Sequence, residues 1–129
     1  MQDVILTAAE WHVMNCLWEK GCCTGREAVD YLTAAADWSR STTLTMLRRM
    51  DEKGLIRSQK DEAWLQIYYP NVNREEATLR QTEDFLHRVY HGSIGLMLSA
   101  FTKKQALSQK EIDELYAILD EAKKGAENG

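Results

Sequence analysis

Helix beginnings are marked along this chain more plainly than anything else. When Ser or Thr is followed three residues later by Glu, the hydroxyl can accept from the Glu amide while the carboxylate reaches back to the Ser or Thr amide. Thr7-Ala-Ala-Glu10, Thr24-Gly-Arg-Glu27 and Ser108-Gln-Lys-Glu111 carry that pattern, and Asn73-Arg-Glu-Glu76 is an Asn version of it. The first helix should run to about Lys20, where Gly21 can take the left-handed position that ends it. The second runs through about Thr33, the one from Asn73 to about His91, and the last to Gly125. A shorter helix spans about Ser93 to Thr102. Ser39 is the expected cap of one more, stopped by Gly54.

Between Gly54 and Asn73 the pattern changes. Ile56 to Lys60 and Trp64 to Tyr69 are extended candidates, separated by the polar turn Asp61-Glu62-Ala63. Leu65, Ile67 and Tyr69 alternate with Trp64, Gln66 and Tyr68, so one face can cover a core. Pro70 has no N–H to donate and ends the ladder. A two-stranded hairpin is too small to stand alone and must pack on the helices. The order α-α-α-β-β-α-α-α gives a mainly α protein with a two-stranded β wing. Residues 1–72 read as an N-terminal winged helix-turn-helix domain, 73–125 as a C-terminal helical dimerisation region, and 126–129 as a disordered tail.

The helix after Ser39 carries the chemistry. Leu44, Leu47 and Met50 form its apolar face, and Ser41, Thr42, Thr45, Arg48 and Arg49 turn away from it. Hydroxyls and guanidinium groups bond to phosphates and base edges. Residues near the entering end, Ser41, Thr42 and Thr45, suit base contacts, while Arg48 and Arg49 suit phosphates. The net charge of −4 argues against a nucleic-acid partner only until its distribution is seen. Residues 38–60 hold six basic side chains (Arg40, Arg48, Arg49, Lys53, Arg57 and Lys60) against Asp51 and Glu52, whereas residues 1–37 hold two bases and six acids. A solvated helix face with ordinary salt bridges is the plainer alternative.

Other function classes find little support. An apolar fraction of 44% is ordinary for a globular chain. No apolar run approaches the ~20 residues of a membrane span, and Met1-Gln-Asp-Val-Ile5 lacks the features of a secretory signal, so a cytoplasmic protein without membrane insertion is expected. Cys16, Cys22 and Cys23 are an odd count and fit a reduced compartment. No catalytic triad, P-loop or glycine-rich phosphate loop occurs, so no enzyme and no cofactor are expected. His87 and His91 lie one helical turn apart, with Asp84 as a third candidate ligand, but a wet helix surface is the better reading and no metal is expected. His12 and Cys16, also one turn apart, are expected to be buried. Trp11, Trp18 and Trp38 are expected in or beside the core, and Trp64 at the start of a strand.

The C-terminal third is rich in large apolar side chains: Phe85, Leu86, Val89 and Tyr90, then Leu96, Met97 and Phe101, then Ile112, Leu115, Tyr116 and Leu119. A monomer would leave such a patch exposed. A twofold homodimer would bury it; folding back onto the N-terminal domain is the alternative.

Four segments, in order and at this spacing, carry a resemblance over almost the whole length. They are Leu6-Thr-Ala-Ala-Glu-Trp-His-Val-Met-Asn-Cys-Leu-Trp18, the stretch from Ser41 to Arg57, Phe85-Leu-His-Arg-Val-Tyr-His-Gly92 with Leu96 to Phe101, and Ser108-Gln-Lys-Glu-Ile-Asp-Glu-Leu115. In these the chain resembles the penicillinase-repressor (BlaI/MecI/CopY) family of transcription regulators. The resemblance implies a homodimer that sits on a dyad-symmetric double-stranded DNA operator, blocks transcription and leaves when signalled. It assigns Ser41, Thr42, Thr43, Thr45, Met46 and Arg48 or Arg49 to DNA, with the wing around Lys60 on the flanking backbone. In the β-lactam-responsive branch a membrane metalloprotease sensor triggers cleavage at an Asn-Phe bond. The pair at that place here is Ala100-Phe101, a candidate cleavage site that lacks the asparagine. The copper branch binds metal through C-terminal Cys-x-Cys pairs, and this chain has no cysteine after Cys23. A reading from a different class is a protein-interaction adaptor that uses its winged helix without an operator.

Overall fold

The computed structural model describes residues 5–128. The expectations for Met1–Val4 (the lack of a secretory signal) and for Gly129 of the tail lie outside the described residues.

The elements are α1 (Ala8–Lys20), β1 (Cys23–Thr24), α2 (Gly25–Ala36), α3 (Arg40–Lys53), β2 (Ile56–Lys60), β3 (Gln66–Pro70), α4 (Arg74–Tyr90), α5 (Ile94–Lys104) and α6 (Gln109–Asn128). The capping boxes are real. Thr7 accepts from the Glu10 amide at 3.2 Å and the Glu10 carboxylate accepts from the Thr7 amide at 2.9 Å. The Thr24–Glu27 pair (3.1 and 2.9 Å) and the Ser108–Glu111 pair (3.1 and 3.0 Å) repeat the arrangement. Each such cap contributes about 1 kcal/mol. Gly21 and Gly54, at φ 82° and 83°, close α1 and α3 from the left-handed side.

Three boundaries differ from the sequence reading. α2 continues past Thr33 to Ala36, because Asp37 takes the left-handed position at φ 56° and returns its amide to the Thr33 carbonyl. α6 runs through Gly125 to Asn128, so residues 126–128, read as tail, are helical. β3 begins at Gln66 rather than Trp64, because the turn at Asp61 claims the residues before it: the Asp61 carboxylate accepts from the amides of Ala63 and Leu65. A third strand also exists. β1 pairs antiparallel with β3 (Cys23 opposite Tyr68), giving the order β1-β3-β2. Two residues are too few to show a period of two in sequence.

The core is assembled by Leu6 with Val13, Met14, Cys16 and Leu17 of α1, Ala28 and Leu32 of α2, Leu47 and Met50 of α3, and Leu55, Ile56, Cys23 and Ala77. Fully burying a Leu, Ile or Met side chain contributes about 1.5–3 kcal/mol. Trp11, Trp18 and Trp38 line its margin, and the Trp18 indole N–H donates to the Val72 carbonyl at 3.0 Å. His12 is exposed, edge-on to Trp38 at 5.9 Å, not buried as the sequence suggested. One turn from Cys16 places it just outside the rim that α1 presents to the core.

The chain divides into two compact units between Asp84 and Phe85, inside α4 and later than the 72/73 boundary read from sequence. The opening turns of α4 belong to the first unit because Ala77 joins its core. In the second unit, Phe85 and Tyr90 meet edge to face at 6.0 Å. A groove of about 320 Å³ runs along α5 and α6, lined by Leu98, Thr102, Leu107, Leu115, Tyr116 and Leu119 among others.

Candidate nucleic-acid interface

α2, the turn 37–39 and α3 form a helix-turn-helix. A Cβ placed on Gly25 would lie 3.6 Å from Leu44 Cδ2, so the start of α2 packs closely beside α3. α3 enters the core through Thr43, Leu47 and Met50, the i, i+4, i+7 spacing of one helical stripe. The stripe keeps Leu47 and Met50 of the expected Leu44–Leu47–Met50 face and takes Thr43 in place of Leu44, which is half-buried beside it. Thr43 can occupy a core position because its hydroxyl donates to the Ser39 carbonyl at 3.1 Å. That corrects its assignment to DNA: at 0% exposure, Thr43 has no surface to offer. Met46 is half-buried against the core, with the same partial exposure as Thr45.

Ser41, Thr42, Arg48 and Arg49 are exposed on the rest of the helix, and Thr45 is half-exposed between them. Ser39 Oγ accepts from the Thr42 amide at 3.1 Å, donates to Thr42 Oγ1 at 3.0 Å and lies 3.3 Å from Ser41 Oγ. The cap therefore gathers three hydroxyls at the entering end of α3, and the Thr42 hydroxyl, accepting from Ser39, keeps its own proton for an outside acceptor. Further along, Arg48 sits 3.7 Å from Glu52, both about two-thirds exposed. Such a pair is worth about 0–1 kcal/mol, so a phosphate can displace Glu52 cheaply. Among the described residues no ion pair engages Arg49.

Lys53, counted in the positive cluster from sequence, pairs with a carboxylate of the protein itself while its side chain stays 60% exposed. Its Nζ donates to Glu10 Oε2 at 2.6 Å, and the Glu10 side chain is 6% exposed. Burial pushes the Glu10 carboxyl up, but the Lys53 ammonium and the Thr7 amide and hydroxyl together hold it below its ordinary value. Glu10 thus closes the first turn of α1 and pins the last turn of α3. Sequence reasoning gave it only the capping role; its i, i+3, i+4, i+7 spacing to Val13, Met14 and Leu17 was the available signal.

The wing is tied to α3 as well. Ser58 donates to the Asp51 carboxylate at 2.8 Å, and β2 pairs with β3 from Ile56 opposite Pro70 to Lys60 opposite Gln66. The Arg57 guanidinium lies 4.5 Å from the Tyr69 ring, and the Lys60 ammonium 5.6 Å from that of Trp64. Lys60 is exposed at the far end of β2.

In the second unit, Phe85, Val89, Leu96, Phe101, Tyr116 and Leu119 are exposed, and Leu86, Tyr90, Met97, Ile112 and Leu115 are half-buried. Ala100 and Phe101 both lie on the exposed side of α5. α4 ends at Tyr90 and His91 turns to φ 54°, so His87 and His91 do not share a helical face. Among the described residues no group of three or more His, Cys, Asp or Glu is placed to hold a metal, and no helix is long and apolar enough to cross a membrane.

Known proteins share this arrangement. The methicillin resistance regulatory protein MecI of Staphylococcus aureus (strain N315) is 33% identical over 115 residues, which is 89% of this chain and 93% of that protein. The penicillinase repressor of Bacillus licheniformis is 33% identical over 118 residues, 92% of this chain and 91% of its own. The solution structure of monomeric Bacillus licheniformis BlaI in complex with the blaP half-operator superposes with a TM-score of 0.52 at 27% identity, covering 58% of this chain and 90% of that one. Residues 6–121 match the family described as penicillinase repressor. With the match spanning both units and relatives this similar along most of their length, the chain belongs to the penicillinase repressor family.

Proposed function

We propose that the chain is a sequence-specific DNA-binding transcriptional repressor that works as a homodimer on a dyad-symmetric operator. One observation carries this reading: α3 is fixed to the core by Thr43, Leu47 and Met50 so that Ser41, Thr42, Thr45, Arg48 and Arg49 occupy its opposite face. The relatives' names, and the half-operator bound by the Bacillus licheniformis protein, support it. The protein regulates and does not catalyse. Ser41, Thr42 and Thr45 read base edges in the major groove, and Arg48 and Arg49 anchor to phosphates. Lys60 on the wing meets the flanking backbone. The region from α4 to α6 pairs two copies through Phe85, Leu86, Val89, Tyr90, Leu96, Met97, Phe101, Ile112, Leu115, Tyr116 and Leu119. Tethering two heads raises the effective concentration of the second once the first is bound, so release follows from undoing that pairing. A protease acting at Ala100-Phe101 would do so.

The test is duplex selection from a random pool, followed by mobility shifts over a salt series. Arg48→Ala and Arg49→Ala should weaken binding evenly across sequences, each reducing the salt slope by about one. Thr42→Ala and Thr45→Ala should instead erode discrimination by about 1–3 kcal/mol per contact. Absence of salt-dependent binding by the wild-type chain, or one sequence profile shared by both sets of variants, overturns the reading and leaves an adaptor.

A further inference from the structure

Trp64 stands out on the wing. It is 77% exposed, the most exposed of the large apolar side chains among the described residues, and its backbone sits at φ 62°. Bulky residues rarely adopt the left-handed region, and where they do, function is a better explanation than accident. Glycine would suit that position at no steric cost. The turn nevertheless holds the tryptophan firmly. Asp61 accepts through its carboxylate from the Ala63 and Leu65 amides at 2.8 and 3.0 Å, its amide donates to the Leu65 carbonyl at 2.9 Å, and its carbonyl accepts from the Trp64 amide at 3.0 Å. The Lys60 ammonium lies over the ring at 5.6 Å, restricting the indole further. A backbone already fixed in this way has little entropy left to lose on contact.

The wing also projects. Burial falls along β2 from Ile56 in the core to Lys60 in solvent, four residue steps or about 13 Å of strand. Its root is bonded to α3 through Ser58 and Asp51, the helix that carries Arg48 and Arg49. Asp61 and Glu62 stand beside Lys60, so the tip offers a phosphate that one ammonium and does not hold a duplex by charge alone. What it offers a duplex is an indole face, with Leu65 (53% exposed) next to it.

We propose that Trp64 is a preformed DNA contact: its indole packs against deoxyribose and the minor-groove edge beside the site occupied by α3, while Lys60 takes the adjacent phosphate. This rests on the repressor reading above and adds a residue that charge alone would not select. The contact is apolar, so it contributes affinity without counterion release.

The experiment uses the full chain and a fluorescently labelled duplex selected with the wild-type protein. Trp64→Gly removes the indole and suits the φ of the turn, so the melting temperature should hold or rise. Its affinity should fall about tenfold, with the slope of log affinity against log salt unchanged. Lys60→Ala should lower that slope. Trp11, Trp18 and Trp38 are half-buried, so quenching of the long-wavelength tryptophan emission on adding duplex should appear in the wild type and vanish in Trp64→Gly. If the wild type binds with normal salt dependence and Trp64→Gly matches it within twofold, the Trp64 contact is overturned and the repressor reading survives. Loss of self-association in Trp64→Gly with DNA affinity kept overturns it in favour of a protein contact. Failure of the wild type to bind any duplex overturns both.

Discussion

α1 places Glu10, Val13, Met14, Cys16 and Leu17 out of reach of water, whereas the longer α6 buries none of its described residues. Both helices begin with the same capping box, so the difference does not lie in how they start. α6 has Ile112, Leu115, Tyr116 and Leu119 at the i, i+3, i+4, i+7 spacing of an amphipathic helix, yet Tyr116 and Leu119 remain 71% and 57% exposed. The first unit builds a buried core from α1, α2, α3 and the first turn of α4, and leaves Trp64, Leu65 and Leu79 exposed. The second presents a finished amphipathic surface with nothing of its own to cover it. Local helix signals are therefore equally strong in both units, while stability is intrinsic to one and, under the dimer reading, concentration-dependent in the other.

The sharpest way to break this contrast is a truncation in each unit. Leu47→Ala should destabilise the first unit by about 2–5 kcal/mol, since Leu47 is fully buried, as measured by urea unfolding. Leu119→Ala should leave that transition in place and weaken self-association by about 1–2 kcal/mol, read by sedimentation across a dilution series. Equal effects of the two on unfolding at low concentration would erase the distinction.

A smaller effect sharpens the contrast within the first unit. Glu10→Gln should cost about 1 kcal/mol, because it weakens the tie between α1 and the end of α3. The folded carboxyl lies below its ordinary 4.5, so its contribution is present above that pH and is lost as pH falls through the folded value. Unfolding free energies between pH 6 and 3 should show a steeper acid decline for the wild type than for the variant. Parallel curves would remove Glu10 from the account.

How far the sequence carried this can be judged residue by residue. The caps at Thr7, Thr24, Ser39, Asn73 and Ser108 were legible because each is a local exchange between a side chain and an amide a few residues away. Thr43 was misplaced because threonine counts as polar until its hydroxyl is matched to the Ser39 carbonyl, after which only its methyl and stem face the core. β1 escaped notice because its partner, β3, lies more than forty residues along the chain. Lys53 was counted with the positive cluster because no local rule links it to Glu10.

By itself, then, the amino-acid order determined where each helix starts, that a hairpin follows the hydroxyl-rich helix, and where positive charge gathers, since all of these depend on neighbours within a turn or two. The tertiary structure alone decided that Thr43 rather than Leu44 completes the buried stripe of α3, that Lys53 pairs with Glu10, and that the wing tip ends in an exposed indole. Those outcomes depend on which distant surfaces close over one another, and a packed interior admits one rotation of a helix and excludes the next.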